Sequence, residues 1–442
     1  MTRSWFTSRL AIAVGVGALV VVAALMWIPD PMAARAAAIA GLCVTLWLTE
    51  AVPPFAPTLL LLAAVPLLLA PYGPEHRLGP VLGWLADPVL ALFLGGFTIG
   101  AAVARHGLDQ VIVGNALRWS HGSATRLLLL SMLVTAGLSL WMSNIAAMAL
   151  MLAALKSVLE RSSDSLRRAL LVGIAMAANV SGMGTPIGSG PNAVAMGAGG
   201  PDVTFLRWMM VGIPAVLVAL ILTWALVRFL LLPKDERLPD DEQMSPPITR
   251  GGWVVLGLVM LTIVGWVSET WHGIPSPTIA MALAALFFIS RLLTAEDFVR
   301  LDWSTIALIG GGIALGRLLE HTGLIVWFSQ ALGTADLPLA VTALLFAIVA
   351  AFLSAVMSNT ATAIMFIPLA SALDPTPPVL TIVVALACSF GVPFIVSTPQ
   401  NAMAVGAGAR SSDLLRVGLP VMILGCALLI LCRPLIALIF AA

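Results

Sequence analysis

Charge is what this sequence has least of. Only 10% of its 442 residues are Asp, Glu, Lys or Arg and 60% are hydrophobic, whereas soluble domains carry about a quarter charged residues. A water-soluble globular fold is excluded. Neither sign dominates: 22 basic residues against 21 acidic ones leave no cationic surface for a nucleic acid and no acidic tail. Cysteine is equally sparse, and Cys43, Cys388, Cys426 and Cys432 each sit in an apolar run. They read as buried thiols rather than as a disulfide or zinc framework. The few histidines, His76, His106, His121, His272 and His321, fall at the ends of apolar runs or in loops. With no HExxH, no intramembrane Asp pair and no serine beside a plausible base, the chain reads as a non-enzyme.

What it has instead is long apolar segments. A hydrocarbon core about 30 Å thick takes about 20 apolar residues per helix. Spans are expected near 9–28, 35–50, 55–71, 87–104, 168–200, 204–232, 251–267, 276–292, 303–317, 377–409 and 413–440. The first, within residues 1–32, lacks a small-residue cleavage site before Pro29 and Pro31 and reads as a retained helix rather than a signal peptide. Two further apolar segments, 123–157 and 337–372, are broken at their centres by Ser143-Asn144 and Ser358-Asn359. Each is long enough for two half-crossings, so a re-entrant hairpin is expected. The one strongly polar stretch, Pro233–Arg250, is the expected linker. Most Lys and Arg fall on the side of Arg3 and Arg9, with Arg35, Arg77, Arg207 and Arg317 opposite and Arg433 late in the last span. The positive-inside rule then predicts a cytoplasmic N-terminus, a cytoplasmic linker and an outside C-terminus. The fold class expected is an all-α polytopic membrane protein with about eleven transmembrane helices and two re-entrant hairpins.

The halves on either side of the linker repeat one another. Phe93–Leu108 reads FLGGFTIGAAVARHGL and Leu308–Leu324 reads LIGGGIALGRLLEHTGL, and the interval from Gly95 to Gly310 equals that from Ser143 to Ser358. GSGPN at Gly188–Asn192 is matched by STPQN at Ser397–Asn401 at nearly the same interval. Glycine turn, hairpin and interrupted helix thus recur in order, and the charge bias places the halves in opposite orientation. Residues 33–232 and 251–442 are expected to be two inverted repeats. Repeats of this kind with interrupted helices at matching positions mark secondary transporters, whose solute sits at the interruptions. The glycine pairs themselves read as close helix packing.

The interruptions carry neutral oxygens and carboxamides: Ser139, Ser143 and Asn144; Thr185, Ser189 and Asn192; Ser354, Ser358, Asn359 and Thr360; Ser397, Thr398 and Asn401. Helix N-termini with such donors suit an anion. Backbone carbonyls and hydroxyls at the same turns suit a hard cation such as Na⁺. No charged residue is expected among the four interruptions, the nearest being Glu50 at a span end. A divalent anion there needs a mobile cation for company, so coupling is expected on physical grounds, and a proton relay lacks its carboxylate.

Together these motifs resemble the divalent-anion/sodium symporter family of the ion transporter superfamily. The resemblance rests on WLTEAVPP at Trp47–Pro54, the glycine turns, SNI at Ser143, SNTATA at Ser358, GTPIGSGPN at Gly184–Asn192, STPQN at Ser397 and Asp302-Trp303. It covers nearly the whole chain. It implies a bacterial inner-membrane homodimer, each protomer with a scaffold and a transport domain that moves as an elevator. One Na⁺ site would use Ser139, Ser143, Asn144 and the Gly188 carbonyl, and a second Ser354, Asn359 and the carbonyls of Met357 and Ser397. The substrate carboxylates would meet Asn144, Ser189, Asn359, Thr360, Thr398 and Pro399. Three positions depart from the pattern: Ile145 stands where threonine is usual, GSGPN where GTPPN is, and STPQN where ATPPN is. The retained cation oxygens favour Na⁺ coupling over exchange. The departures leave a C4-dicarboxylate such as succinate or malate as the leading substrate, with sulfate, another compact oxyanion or a sulfonate as the alternative.

Overall fold

Apolar runs of this length can cross lipid only as helices, because every backbone N–H and C=O must find a partner inside the segment. The computed structural model describes residues 3–200, 203–233, 247–324, 337–374 and 378–441, and its described residues form helices with no strand. The first half contains α1 (Arg3–Trp27), α2 (Pro31–Thr49), α3 (Ala56–Leu69), α4 (Pro88–Arg105) and α5 (Leu108–Trp119). It continues with α6 (Ala124–Ser139), α7 (Asn144–Ala154), α8 (Asp164–Ser181), α9 (Gly190–Gly199) and α10 (Phe205–Leu231). The second half contains α11 (Arg250–Val267), α12 (Ser276–Ile289), α13 (Trp303–His321) and α14 (Leu339–Val356). After these come α15 (Asn359–Leu373), α16 (Val379–Cys388), α17 (Pro399–Gly406) and α18 (Ser411–Ala441). Among the described residues seven helices, α1, α2, α4, α10, α11, α14 and α18, are long and apolar enough to cross a membrane. The chain is an all-α polytopic membrane protein. Most of the expected linker, residues 234–246, lies outside the described residues.

Local chemistry sets the helix starts. Asp30 and Asp87 each precede a proline and accept from the N–H of Ala33 at 2.7 Å and of Val89 at 2.9 Å. Such a pair caps a helix and pre-sets its first turn. Asp302 does the same for α13, accepting from the Thr305 N–H at 3.0 Å and its hydroxyl at 2.6 Å. Both expected hairpins are present: α6 turns into α7, and α14 into α15, with Ser143 and Ser358 as N-caps of the second arms. Of the four arms only α14 is long enough to cross by itself.

Packing is reciprocal between the halves. α4 lies against α12 and α13 against α3, while α9 packs on α16 and α17 on α8. The glycine turns make the first two contacts possible. A Cβ at Gly95 would fall 2.5 Å from the Ala280 Cβ, and one at Gly311 would strike the Thr58 hydroxyl. A repeat that sequence reading overlooked also emerges: Trp47-x-x-Glu50 and Trp266-x-x-Glu269. The Trp47 indole donates to the Pro54 carbonyl and the Trp266 indole to the Ser276 carbonyl, each at 3.0 Å.

The expected interruptions are real breaks. α8 stops at Ser181, one 3-10 turn follows at Gly182–Gly184, and α9 resumes at Gly190; α16 stops at Cys388 and α17 begins at Pro399. One carboxamide clamps each break. Asn192 Nδ2 donates to the Gly182 carbonyl at 2.8 Å and the Thr185 carbonyl at 2.7 Å, and Asn401 Nδ2 to the carbonyls of Val392 and Phe394 at 2.8 Å. Replacing Asn401 by leucine strands two buried carbonyls at about 1–3 kcal/mol each. The unfolding midpoint of the Asn401→Leu protein in detergent is expected to drop by several degrees with helix content kept. An unchanged midpoint would show the clamp to be dispensable.

Arg105, ending α4, pairs at 2.8 Å with Asp297 of the short helix Ala295–Val299 that precedes Asp302. Burial works against the Asp297 charge, but the Thr294 N–H and hydroxyl and the Arg105 guanidinium outweigh it and hold its pKa below the ordinary carboxylate value. A depressed folded pKa stabilises above the unfolded value, and the effect disappears as pH falls through the folded one. The destabilisation caused by Asp297→Asn is therefore expected to be constant from about pH 5 to 8 and to close below about pH 4. Thermal unfolding across that range is the check, and a gap that varies near pH 7 would refute the clamp.

Candidate functional site

The interruptions and the hairpin tips meet at one cavity of about 480 Å³. One wall is built from four helix starts: Asn144 of α7, Ser189-Gly190 of α9, Asn359-Thr360 of α15 and Thr398-Pro399 of α17. Four N-termini converging on one space is a strong arrangement for an anion, since each presents free N–H groups and the positive end of a helix dipole. The facing wall comes from the end of α2, α4 and the start of α13, with Trp47, Phe93 and Phe97 as its apolar surface. All six expected substrate residues line the cavity: Asn144, Ser189, Asn359, Thr360, Thr398 and Pro399.

Of the expected cation ligands, Ser143, Gly188 and Ser397 also line it, together with Asn144 and Asn359, while Ser139, Ser354 and Met357 stand behind. The two hairpins repeat one hydrogen-bond pattern. Ser139 Oγ lies 2.5 Å from Asn144 Oδ1 and 2.9 Å from the Ala178 carbonyl; Ser354 Oγ lies 2.8 Å from Asn359 Oδ1 and 2.7 Å from the Cys388 carbonyl. Each hydroxyl has one proton for two acceptors. Each set is therefore rich in oxygen lone pairs, which suits a hard cation. Ser143 and Ser358 each spend one lone pair on capping, accepting from the N–H of Ala146 and Ala361 at 3.2 Å. Ser397 donates to the Ala355 carbonyl at 2.6 Å, tying the second break to the second hairpin.

Three features differ from expectation. The site is not free of charge: Glu50 and Asp302 line the facing wall, while no Lys or Arg does so among the described residues. Both carboxylates end or start a helix, a position that sequence distance from the four interruptions concealed. Gln400 is buried and lines the cavity as well, and so does Asn179 in the last turn of α8. Asn192 and Asn401 are backbone clamps rather than lining groups.

Comparison with known proteins decides the family. Residues 44–387 match the family model described as citrate transporter. The chain belongs to the citrate transporter family. It is also 30% identical over 418 residues to the sodium-dependent dicarboxylate transporter SdcS of Staphylococcus saprophyticus, covering 83% of this chain and 79% of that one. An uncharacterized transporter of Haemophilus influenzae is 29% identical, with 88% of each chain covered. Among solved structures, the YdaH transporter of Alcanivorax borkumensis superposes with a TM-score of 0.60 at 15% identity, over 87% of this chain and 99% of that one. MtrF of Neisseria gonorrhoeae gives 0.58 at 12% identity, over 88% and 96%. As a member of this family the protein is a secondary transporter of the membrane and not an enzyme.

The seal between the first break and the second hairpin is tight. A Cβ at Gly190 would meet the Thr360 side chain directly, and overpacking of this kind costs about 1–3 kcal/mol. Gly190→Ala is expected to raise the KM for the transported anion about tenfold or more. Concentration-dependent uptake into proteoliposomes reads this out; an unchanged KM would place the Gly190–Thr360 contact outside the site.

Proposed function

We propose that the protein is a divalent-anion/sodium symporter that takes up a C4-dicarboxylate, with succinate or malate as the leading substrates. One observation carries the reading. Four helix N-termini face a cavity whose described lining holds two carboxylates and no basic side chain. A dianion bound there meets N–H groups on one side and the fields of Glu50 and Asp302 on the other. Its charge is balanced by cations held at the Ser139–Asn144 and Ser354–Asn359 oxygen sets. That the Staphylococcus relatives are named sodium-dependent dicarboxylate transporters supports the same pairing of ions.

Residues 33–232 and 251–442 act as inverted repeats, for which the reciprocal packing speaks. The hairpins and interrupted helices move as the transport domain of an elevator, with the remaining helices as scaffold in a homodimer. The protein resides in a bacterial inner membrane with a cytoplasmic N-terminus. In this threading Glu50 and Asp302 face the cytoplasm, so the cavity opens inward. A compact oxyanion such as sulfate is the second reading, favoured by Ile145, which lines the cavity where a hydroxyl would widen its polar wall.

Labelled succinate, citrate and sulfate, offered to proteoliposomes with and without an inward Na⁺ gradient, test this. Succinate accumulation only with the gradient is expected. Gradient-independent uptake of every solute sinks the coupling. Ile145→Thr is expected to shift preference further toward dicarboxylates, and an unaltered competition profile would make that position merely structural.

A further inference from the structure

Asn179 lies in the last turn of α8, is 1% exposed and borders the cavity. Its carboxamide can be oriented from the hydrogen-bond network alone. Asn401 donates both Nδ2 protons to the carbonyls of Val392 and Phe394, so its oxygen must be the atom turned toward Asn179. The Asn179 atom facing it, 3.0 Å away, is therefore the nitrogen. That leaves Asn179 Oδ1 as a fixed acceptor, buried and without a hydrogen-bond partner among the described residues. An unpartnered buried acceptor is costly, and such atoms call for a ligand.

A deprotonated carboxylate cannot donate to it, so the charged ends of the transported anion are the wrong occupants. A dehydrated hard cation is the right one, because amide oxygens are among its ordinary ligands. The surroundings agree. Asn179 follows Ala178, whose carbonyl already shares the Ser139 hydroxyl with Asn144. On its other side it reaches, through Asn401, the turn that carries Ser397.

We propose that Asn179 is a further cation-binding residue of the transport site, its Oδ1 ligating Na⁺ at the α8 wall and its Nδ2 tying that ligand to the second broken helix. This rests on the Na⁺-coupled reading of the site above. The test uses the purified full-length protein in detergent, titrating NaCl against choline chloride and reading the shift in thermal unfolding, with no anion substrate present. Wild type is expected to be stabilised by Na⁺. In Asn179→Leu the half-saturating Na⁺ concentration is expected to rise about tenfold and the cooperativity of the titration to fall. In Asn179→Asp, which keeps an oxygen at this place but gives up the Nδ2 donor to Asn401, the half-saturating Na⁺ concentration is expected to rise clearly less than in the leucine variant, by no more than about threefold. In proteoliposomes at saturating Na⁺, the leucine variant is expected to regain an anion KM within about twofold of wild type. Equal Na⁺ titrations for wild type and Asn179→Leu overturn the proposal. Equal losses in the leucine and aspartate variants also overturn it, since they would make Asn179 a structural tie. A wild type that ignores Na⁺ brings down this proposal together with the coupled reading, whereas the first two results leave that reading standing.

Discussion

Broken backbone inside a membrane is the constraint on which the rest of this structure depends. A helix that stops at mid-depth exposes carbonyls that lipid cannot satisfy, and this protein stops helices there at four places. At the two interrupted helices it answers with one asparagine each: Asn192 and Asn401 donate both amide protons back into the turn they follow. At the hairpin tips Ser143 and Ser358 cap the second arm. With the carbonyls occupied and the N-termini capped only in part, what remains free is a set of N–H groups and hydroxyl oxygens turned toward one cavity. This wall of the site is in that sense a by-product of solving the backbone problem, and its neutrality follows from the solution.

Neutrality on that wall is set against charge on the other. Glu50 and Asp302 stand where α2 ends and α13 begins, and neither can approach a dianion favourably without an intervening cation. On the coupled reading proposed above, a cation bound together with the anion would suit both walls.

Much of this was legible in the primary structure because polar residues in apolar runs have little freedom of meaning. Ser143-Asn144 and Ser358-Asn359 marked the hairpin turns, and the Gly-Pro clusters marked the interrupted helices. The six residues expected to meet substrate all line the cavity. What stayed hidden depends on partners far away along the chain. Asn179 sits in an unremarked helical run, and its meaning comes from Asn401, 222 positions on. Glu50 stood at a span end and Asp302 just before one, each far along the chain from the interruptions; only the packing of α13 onto α2 and α3 brings them to one wall. The repeated Trp-x-x-Glu was readable, but its spacing differs from that of the glycine turns, so a search in a single register passes over it.

The halves repeat three buried hydrogen-bond patterns: Ser139 with Ser354, Asn192 with Asn401, Trp47 with Trp266. They part beside the first of these. The residue after Ala178 is Asn179, which reaches Asn401; the residue after Cys388 is Ser389, whose hydroxyl is buried without a hydrogen-bond partner among the described residues, as is the Asn192 oxygen that would answer it. If the halves exchange roles as the proposed inverted repeats would, this one unmatched hydrogen bond of about 1 kcal/mol would make the two end states unequal, by a population ratio of about five.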